Sequence, residues 1–208
     1  NKRKNTNYVT TEEAARLHGA FIKDTLSRHR RDDRVTTLWR AGDAAHAFWS
    51  QLDVQQSDQS DGNLGDRMRT ALDNTINLSD DSRAVLLGTD SPTLPPQFVD
   101  RAFQALDRVP LVLGPACDGG YYLLGMRARV APIFPADMPW GSDEVLSRTL
   151  DLANDAQIPY ALLDFWYDID RPADVLLMRS HLRALSDAQI PWPEHTIDCL
   201  KKLDRYRP

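Results

Sequence analysis

Four short stretches of this chain carry residues that could do chemistry. Asp90 stands in Ala84-Val85-Leu86-Leu87-Gly88-Thr89-Asp90-Ser91-Pro92, an apolar run that stops at a glycine and then presents a carboxylate. Asp118 opens Asp118-Gly119-Gly120-Tyr121, and Asp168 and Asp170 lie in Tyr167-Asp168-Ile169-Asp170-Arg171-Pro172. The fourth stretch is Gly62-Asn63-Leu64-Gly65-Asp66-Arg67-Met68, whose glycines permit close backbone approach and whose helix-opening amides could meet an anion. Hard divalent cations take carboxylate oxygens together with substrate phosphates, so aspartates from separate loops suit a metal bridge to a diphosphate. Asp90 and Asp170 are the expected pair, with Mg2+ or Mn2+ as the ion. Asp-Ser-Pro is also good turn sequence, so a turn or helix cap is the competing account of Asp90.

Other chemistries find no footing. Neither a Gly-x-Ser-x-Gly elbow, a Gly-x-x-x-x-Gly-Lys-Ser/Thr phosphate loop nor a Gly-x-Gly-x-x-Gly fingerprint occurs. His18, His29, His46, His181 and His195 are scattered without ligand spacing, which favours surface or packing roles. Cys117 adjoins Asp118, and an acidic neighbour disfavours the thiolate that a nucleophile needs.

If these loops are to meet, the elements between them must be strands of one sheet. The run Ala84 to Leu87 reads as a buried strand, and carboxylates just past the carboxyl end of such a strand sit where open α/β sheets bind ligands. Further strands are expected at Val35 to Trp39, Leu111 to Pro115, Tyr121 to Met126 and Ile158 to Leu163, the last near an edge because Pro159 breaks it. Helices are expected from about Glu12 to Arg30, opened by a Thr10/Glu13 capping box, and from Leu64 through Ile76. Others should follow Pro95-Pro96, run from Asp143 to Ala153 with Ser142 or Asp143 as N-cap, and run from Ala173 to Leu185. A short helix is expected from Asp43, with Gln55 to Asn63 polar and Ser57 to Asp61 an exposed loop. The alternation predicts a three-layer α/β/α fold with a mostly parallel, mixed, Rossmann-like sheet.

At 208 residues and 42% hydrophobic, the chain can bury a full core as a single domain over 1–208, with 186–208 as a C-terminal tail. Its net charge of -5 argues against a nucleic-acid partner. The basic Lys2, Arg3 and Lys4 are too few to alter that. Cys117 and Cys199 alone imply a reducing compartment, and no apolar stretch is long enough to span a bilayer, so a cytoplasmic protein is expected. The tail around Trp192 could pack across a homodimer.

Leu87-Gly88-Thr89-Asp90-Ser91-Pro92-Thr93-Leu94, the run from Val112 through Asp118-Gly119-Gly120-Tyr121-Tyr122 to Gly125, Pro139-Trp140, and Tyr167-Asp168-Ile169-Asp170-Arg171-Pro172-Ala173-Asp174 resemble a bacterial family in order and spacing. It is the glycosyltransferase-like family of radical-SAM/selenodomain-associated transferases, within the nucleotide-diphospho-sugar transferase superfamily. The resemblance covers roughly Thr11 to Leu177 and includes Asn63 to Met68. It implies a glycosyltransferase-A fold, a nucleoside-diphosphate sugar donor bound with a divalent cation, and a small-molecule acceptor. Asp90 would then be the metal-binding acid, here in Thr-Asp-Ser, and Asp170 the distal ligand. Asp118 would take a proton from an attacking hydroxyl. Gly65, Arg67, Thr89, Ser91, Gly119, Gly120 and Tyr121 would contact substrate, while Trp140 would either stack on a sugar face or pack in the core.

Members of that family begin with a strand and a Pro-x-x-Gly-x-x-Lys-Thr-Arg-Leu loop. Asn1 to Thr10 lead almost directly into the helix that should follow it, so an upstream segment is expected to supply that strand. Two other functions fit the same residues: nucleotidyl transfer to a phosphorylated small molecule, and a non-catalytic binding or scaffold protein with a degenerate nucleotide site.

Overall fold

The structure is a computed structural model that describes residues 10–76, 81–127, 131–188 and 193–203. Lys2, Arg3, Lys4, the expected first strand, and Trp192 lie outside the described residues. Two compact units divide the chain: a sheet unit of His29–Gly88 and Pro95–Tyr167, and a helical unit of Asn1–Arg28, Thr89–Leu94 and Asp168–Pro208.

In the sheet unit, β1 (Thr37–Arg40) and β2 (Gln55–Asp58) form a parallel pair. The second sheet holds β3 (Ala84–Leu87), β4 (Leu111–Pro115), β5 (Tyr121–Met126) and β6 (Tyr160–Leu162) in the order β3-β5-β4-β6. Strands β3, β4 and β6 run one way and β5 runs against them, giving the mixed, mostly parallel sheet. Strand β6 stands at the end of that order, where Pro159 costs no interior ladder bond.

Helices α2 (Leu64–Ile76), α3 (Pro96–Leu106) and α4 (Val145–Asp155) cover this sheet. Leu72 and Ile76 of α2 and Ala153 of α4 pack with Leu111, Leu113, Leu124 and Met126 on one face. On the other face α3 comes close enough that a side chain at Gly125 would meet Leu106, Val112 and Val85. A strand covered on both faces must be apolar throughout, which is why Leu-Val-Leu at β4 and Leu-Leu at β5 do not alternate with polar residues. The β4–β5 register skips Tyr122, passing from Gly114↔Leu123 to Pro115↔Tyr121. Consecutive strand residues point to opposite faces, so Tyr121 packs with the α2/α4 cluster, while Tyr122 meets Phe98 of α3 edge-on at 6.0 Å.

Three sequence expectations change. Ser57 and Asp58, expected in an exposed loop, belong to strand Gln55–Asp58, because the Arg40 side chain bonds Asp58 at 2.6 Å and Gln56 at 3.2 Å while the backbones pair. The helix expected from Asp43 is a set of turns ending in a single 3-10 turn, Trp49–Gln51. The Asp43 carboxylate accepts the Ala45 amide at 2.9 Å, a local bond that competes with helix. Helix α4 starts at Val145 with no side-chain cap, two residues past the expected start.

The helical unit contains α1 (Thr11–His29), α5 (Pro172–Asp187) and α6 (Glu194–Lys202). The expected capping box is present on α1: Thr10 N donates to Glu13 Oε2 at 2.8 Å and Glu13 N to Thr10 Oγ1 at 3.2 Å. What reads as a tail folds as α6, with Leu200 fully buried and Ile197 and Leu203 nearly so. No helix among the described residues is long and apolar enough to cross a membrane.

Candidate functional site

The helical unit gathers Asp90 and the Asp168–Asp170 segment. Asp90 accepts a backbone bond from Ile169 N at 3.0 Å, so the two loops whose acids were paired from sequence are joined directly. Ser91, Thr93 and Leu94 are buried beneath this turn, and Leu94 N closes it by donating to Ser91 O at 3.0 Å. Asp168 and Asp170 offer carboxylate oxygens within 4.8 Å of each other. The Asp170 and Arg171 amides both donate to Asp174 Oδ2, at 3.1 and 2.7 Å, so Asp174 caps α5 and fixes the end of the acidic segment. Sequence reasoning chose Asp170 and passed over Asp168, although the alternating Asp-Ile-Asp could have signalled two acids on one side of an extended segment.

Two more residues of this unit were missed. His18 Nε2 on α1 lies 3.2 Å from Thr89 Oγ1, 71 positions further along the chain. Asp24, 1% exposed, accepts from Thr196 N at 2.7 Å, Thr196 Oγ1 at 2.6 Å and His195 N at 3.0 Å, and so caps α6 from α1. Burial lowers the pKa of the neighbouring Arg28 guanidinium, and the Asp24 carboxylate works against that shift.

In the sheet unit, Asp118 is exposed and its Oδ1 accepts the Gly120 amide at 2.8 Å in an Asx turn. Gly119 has φ +92, and a Cβ there would come within 2.2 Å of the Asp143 carbonyl oxygen. Only glycine allows that approach, which lets Leu146 N reach Gly119 O at 2.9 Å and satisfies an opening amide of α4. The turn is held from its other end by Cys117 N donating to Trp166 O at 3.0 Å. Burial drives the Tyr121 phenol well above its ordinary pKa, with Thr149 opposing weakly, so this side chain is neutral.

The Gly62–Met68 segment also lies in the sheet unit, and its helix start is occupied by its own side chains. Asp66 N donates to Asn63 Oδ1 at 3.0 Å and Asn63 N to Asp66 Oδ2 at 3.2 Å, a reciprocal cap that puts a carboxylate where an anion would sit. Arg67 Nε donates to Gly62 O at 3.2 Å. Gly65 is buried under the Trp140 ring, where a Cβ would fall 2.4 Å from the indole, and Phe134 packs on Trp140 at 6.3 Å between centroids. Trp140 thus has the core packing that was one of its two sequence readings. Neither cysteine forms a disulfide, and burial pushes the Cys199 thiol up.

A family model described as "Uncharacterized protein conserved in bacteria (DUF2064)" matches residues 24–142, more than half of the chain. The chain belongs to the DUF2064 family. No curated protein matches this DUF2064 chain. Among solved structures, it is similar to a "putative nucleotide-diphospho-sugar transferase" from Desulfovibrio desulfuricans G20. The TM-score is 0.79 at 25% identity, covering 95% of this chain and 86% of the other. The DUF2064 chain therefore has the nucleotide-diphospho-sugar transferase fold. The family match contains Asp90 and Asp118 but ends before Asp168 and Asp170, whereas the structural likeness spans nearly the whole chain.

Proposed function

We propose that this protein is a metal-dependent transferase that uses a nucleoside-diphosphate sugar as donor and a hydroxyl-bearing small molecule as acceptor. The observation that carries the reading is the backbone bond from Ile169 to Asp90, which ties two acidic loops together in a chain of this fold. The donor set suits a hard cation. Two oxygens on one Mg2+ can stand at most about 4.2 Å apart, and the Asp168 and Asp170 oxygens need only a small side-chain rotation from within 4.8 Å to reach that. Asp90, Asp168 and Asp170 would hold the ion, which when bound neutralises charge on the leaving diphosphate.

Asp118 serves as the base. Its Asx turn orients the carboxylate, and Oδ2 would receive the acceptor hydroxyl's proton as the hydroxyl oxygen bonds the sugar carbon and the bond from that carbon to the diphosphate breaks. The α2 start contributes little to phosphate binding, because the Asp66 amide is already capped and an anion there would meet the Asp66 carboxylate. The resemblance in Asp-Gly-Gly-Tyr-Tyr supports grouping the protein with the radical-SAM/selenodomain-associated transferases, and its two free cysteines fit a reducing, cytoplasmic setting.

The test is calorimetric titration with nucleoside-diphosphate sugars and nucleoside triphosphates, with and without Mn2+. Manganese-dependent binding of a diphosphate sugar, lost in Asp90→Ala, is expected. A preference for triphosphates would replace this reading with nucleotidyl transfer. Absence of binding to either class would favour a scaffold.

A further inference from the structure

The loop that presents Asp90 is held from two directions, and only one of them belongs to the acidic segment. Ile169 N binds the Asp90 carbonyl at 3.0 Å, and on the other side His18 Nε2 shares a hydrogen bond with Thr89 Oγ1 at 3.2 Å. The loop runs over Thr89–Leu94, between a strand and a helix that both belong to the sheet unit. Its seat in the helical unit includes contacts to α1 and to the 168–170 segment.

We propose that His18 is a positioning residue: through the Thr89 hydroxyl it holds the Asp90 loop in the conformation that presents the carboxylate. This rests on the reading of Asp90 as a metal ligand only for its consequence, not for the tether itself. Three features favour the role. Helix α1 is anchored independently, because its buried Asp24 caps α6 and its Leu17, Ala20, Phe21 and Ile22 are buried, so His18 projects from a fixed support. The tether ends one residue before Asp90, where a small backbone rotation would swing the carboxylate. Finally, Thr89 is β-branched and has few χ1 alternatives, so fixing its hydroxyl also restrains its backbone.

The test uses the full chain and two kinds of readout. Amide exchange at Ile169 and Leu94, whose N–H groups bond Asp90 O and Ser91 O, reports the loop; Gly88 N–H, bonded to Tyr122 O in the sheet unit, is the control. His18→Leu and Thr89→Val should each speed exchange at Ile169 and Leu94 by about threefold to tenfold, the range for one neutral hydrogen bond. The double variant should match either single, and Gly88 should not change. His18→Gln, whose amide can reach the Nε2 position, should restore protection, while His18→Asn should not.

Mn2+ affinity in the presence of a nucleoside diphosphate should fall in step with the exchange. Unchanged exchange in both single variants, or additive effects in the double, would overturn the tether. Faster exchange in the variants, together with a wild-type protein that binds no Mn2+, would leave the tether standing and overturn the proposed function.

Discussion

The two units both bury apolar cores and differ in what ties their distant stretches together. The sheet unit closes around side chains that water does not reach, Leu111, Leu113, Leu124 and Met126 among them, and its strands are defined by apolar runs. In the helical unit three stretches far apart in sequence are tied by polar contacts: Asp24 to Thr196, His18 to Thr89, and Ile169 to Asp90. Hydrophobic burial is non-directional and sets where a layer lies, whereas a hydrogen bond sets where an individual carboxylate points.

The comparison breaks most visibly in the sheet unit's core. Leu113→Ala, at a fully buried position, should cost about 3 to 5 kcal/mol in urea unfolding while leaving Mn2+ affinity per folded molecule unchanged. Asp24→Ala should cost about 2 to 4 kcal/mol, because it leaves the Thr196 amide and hydroxyl buried without their acceptor. It should also release α6, seen as faster amide exchange across Glu194–Lys202 before global unfolding.

Gly119→Ala should cost about 2 to 3 kcal/mol, from a positive φ and from contact with the Asp143 backbone. This variant sharpens the contrast, since it strikes a polar loop through backbone geometry and should lower transfer more than it lowers donor binding. Smallest is a pH effect in the sheet unit. Burial raises the phenol pKa of both Tyr121 and Tyr122; at Tyr122 the Asp164 charge adds to this and Arg101 opposes it. The unfolded chain then gives up these protons first, so stability is whole below about pH 10 and falls as the pH rises from there. Tyr121→Phe should flatten that fall in a pH series of thermal midpoints.

The same division explains what the sequence disclosed. Strands β3, β4 and β5 and helices α2 and α3 could be placed from it, because burial writes a period of two, of 3.6, or an unbroken apolar run. The strand Gln55–Asp58 could not, since Gln-Gln-Ser-Asp carries no such period and its pairing with β1 is a backbone property. Asp90 and Asp170 stand out as candidates because each sits beside strand or helix signals. His18 and Asp24 were not. Nothing local distinguishes the His18 that reaches Thr89 from the scattered others, or the Asp24 that caps a helix 172 residues later. Glycines were legible as special but not in their office: Gly65 accommodates Trp140, and Gly119 accommodates the start of α4.

The central claim is that the polar unit is built to hold a cation on Asp90, Asp168 and Asp170. It is tested most directly by titrating Mn2+ into the full chain with a nucleoside diphosphate present and following the free ion by electron paramagnetic resonance. The wild type should bind one ion. Asp168→Asn and Asp170→Asn should each weaken binding at least about tenfold with unfolding midpoints unchanged, since each removes one charged oxygen ligand. Equal Mn2+ affinity in the wild type and both variants would contradict the account.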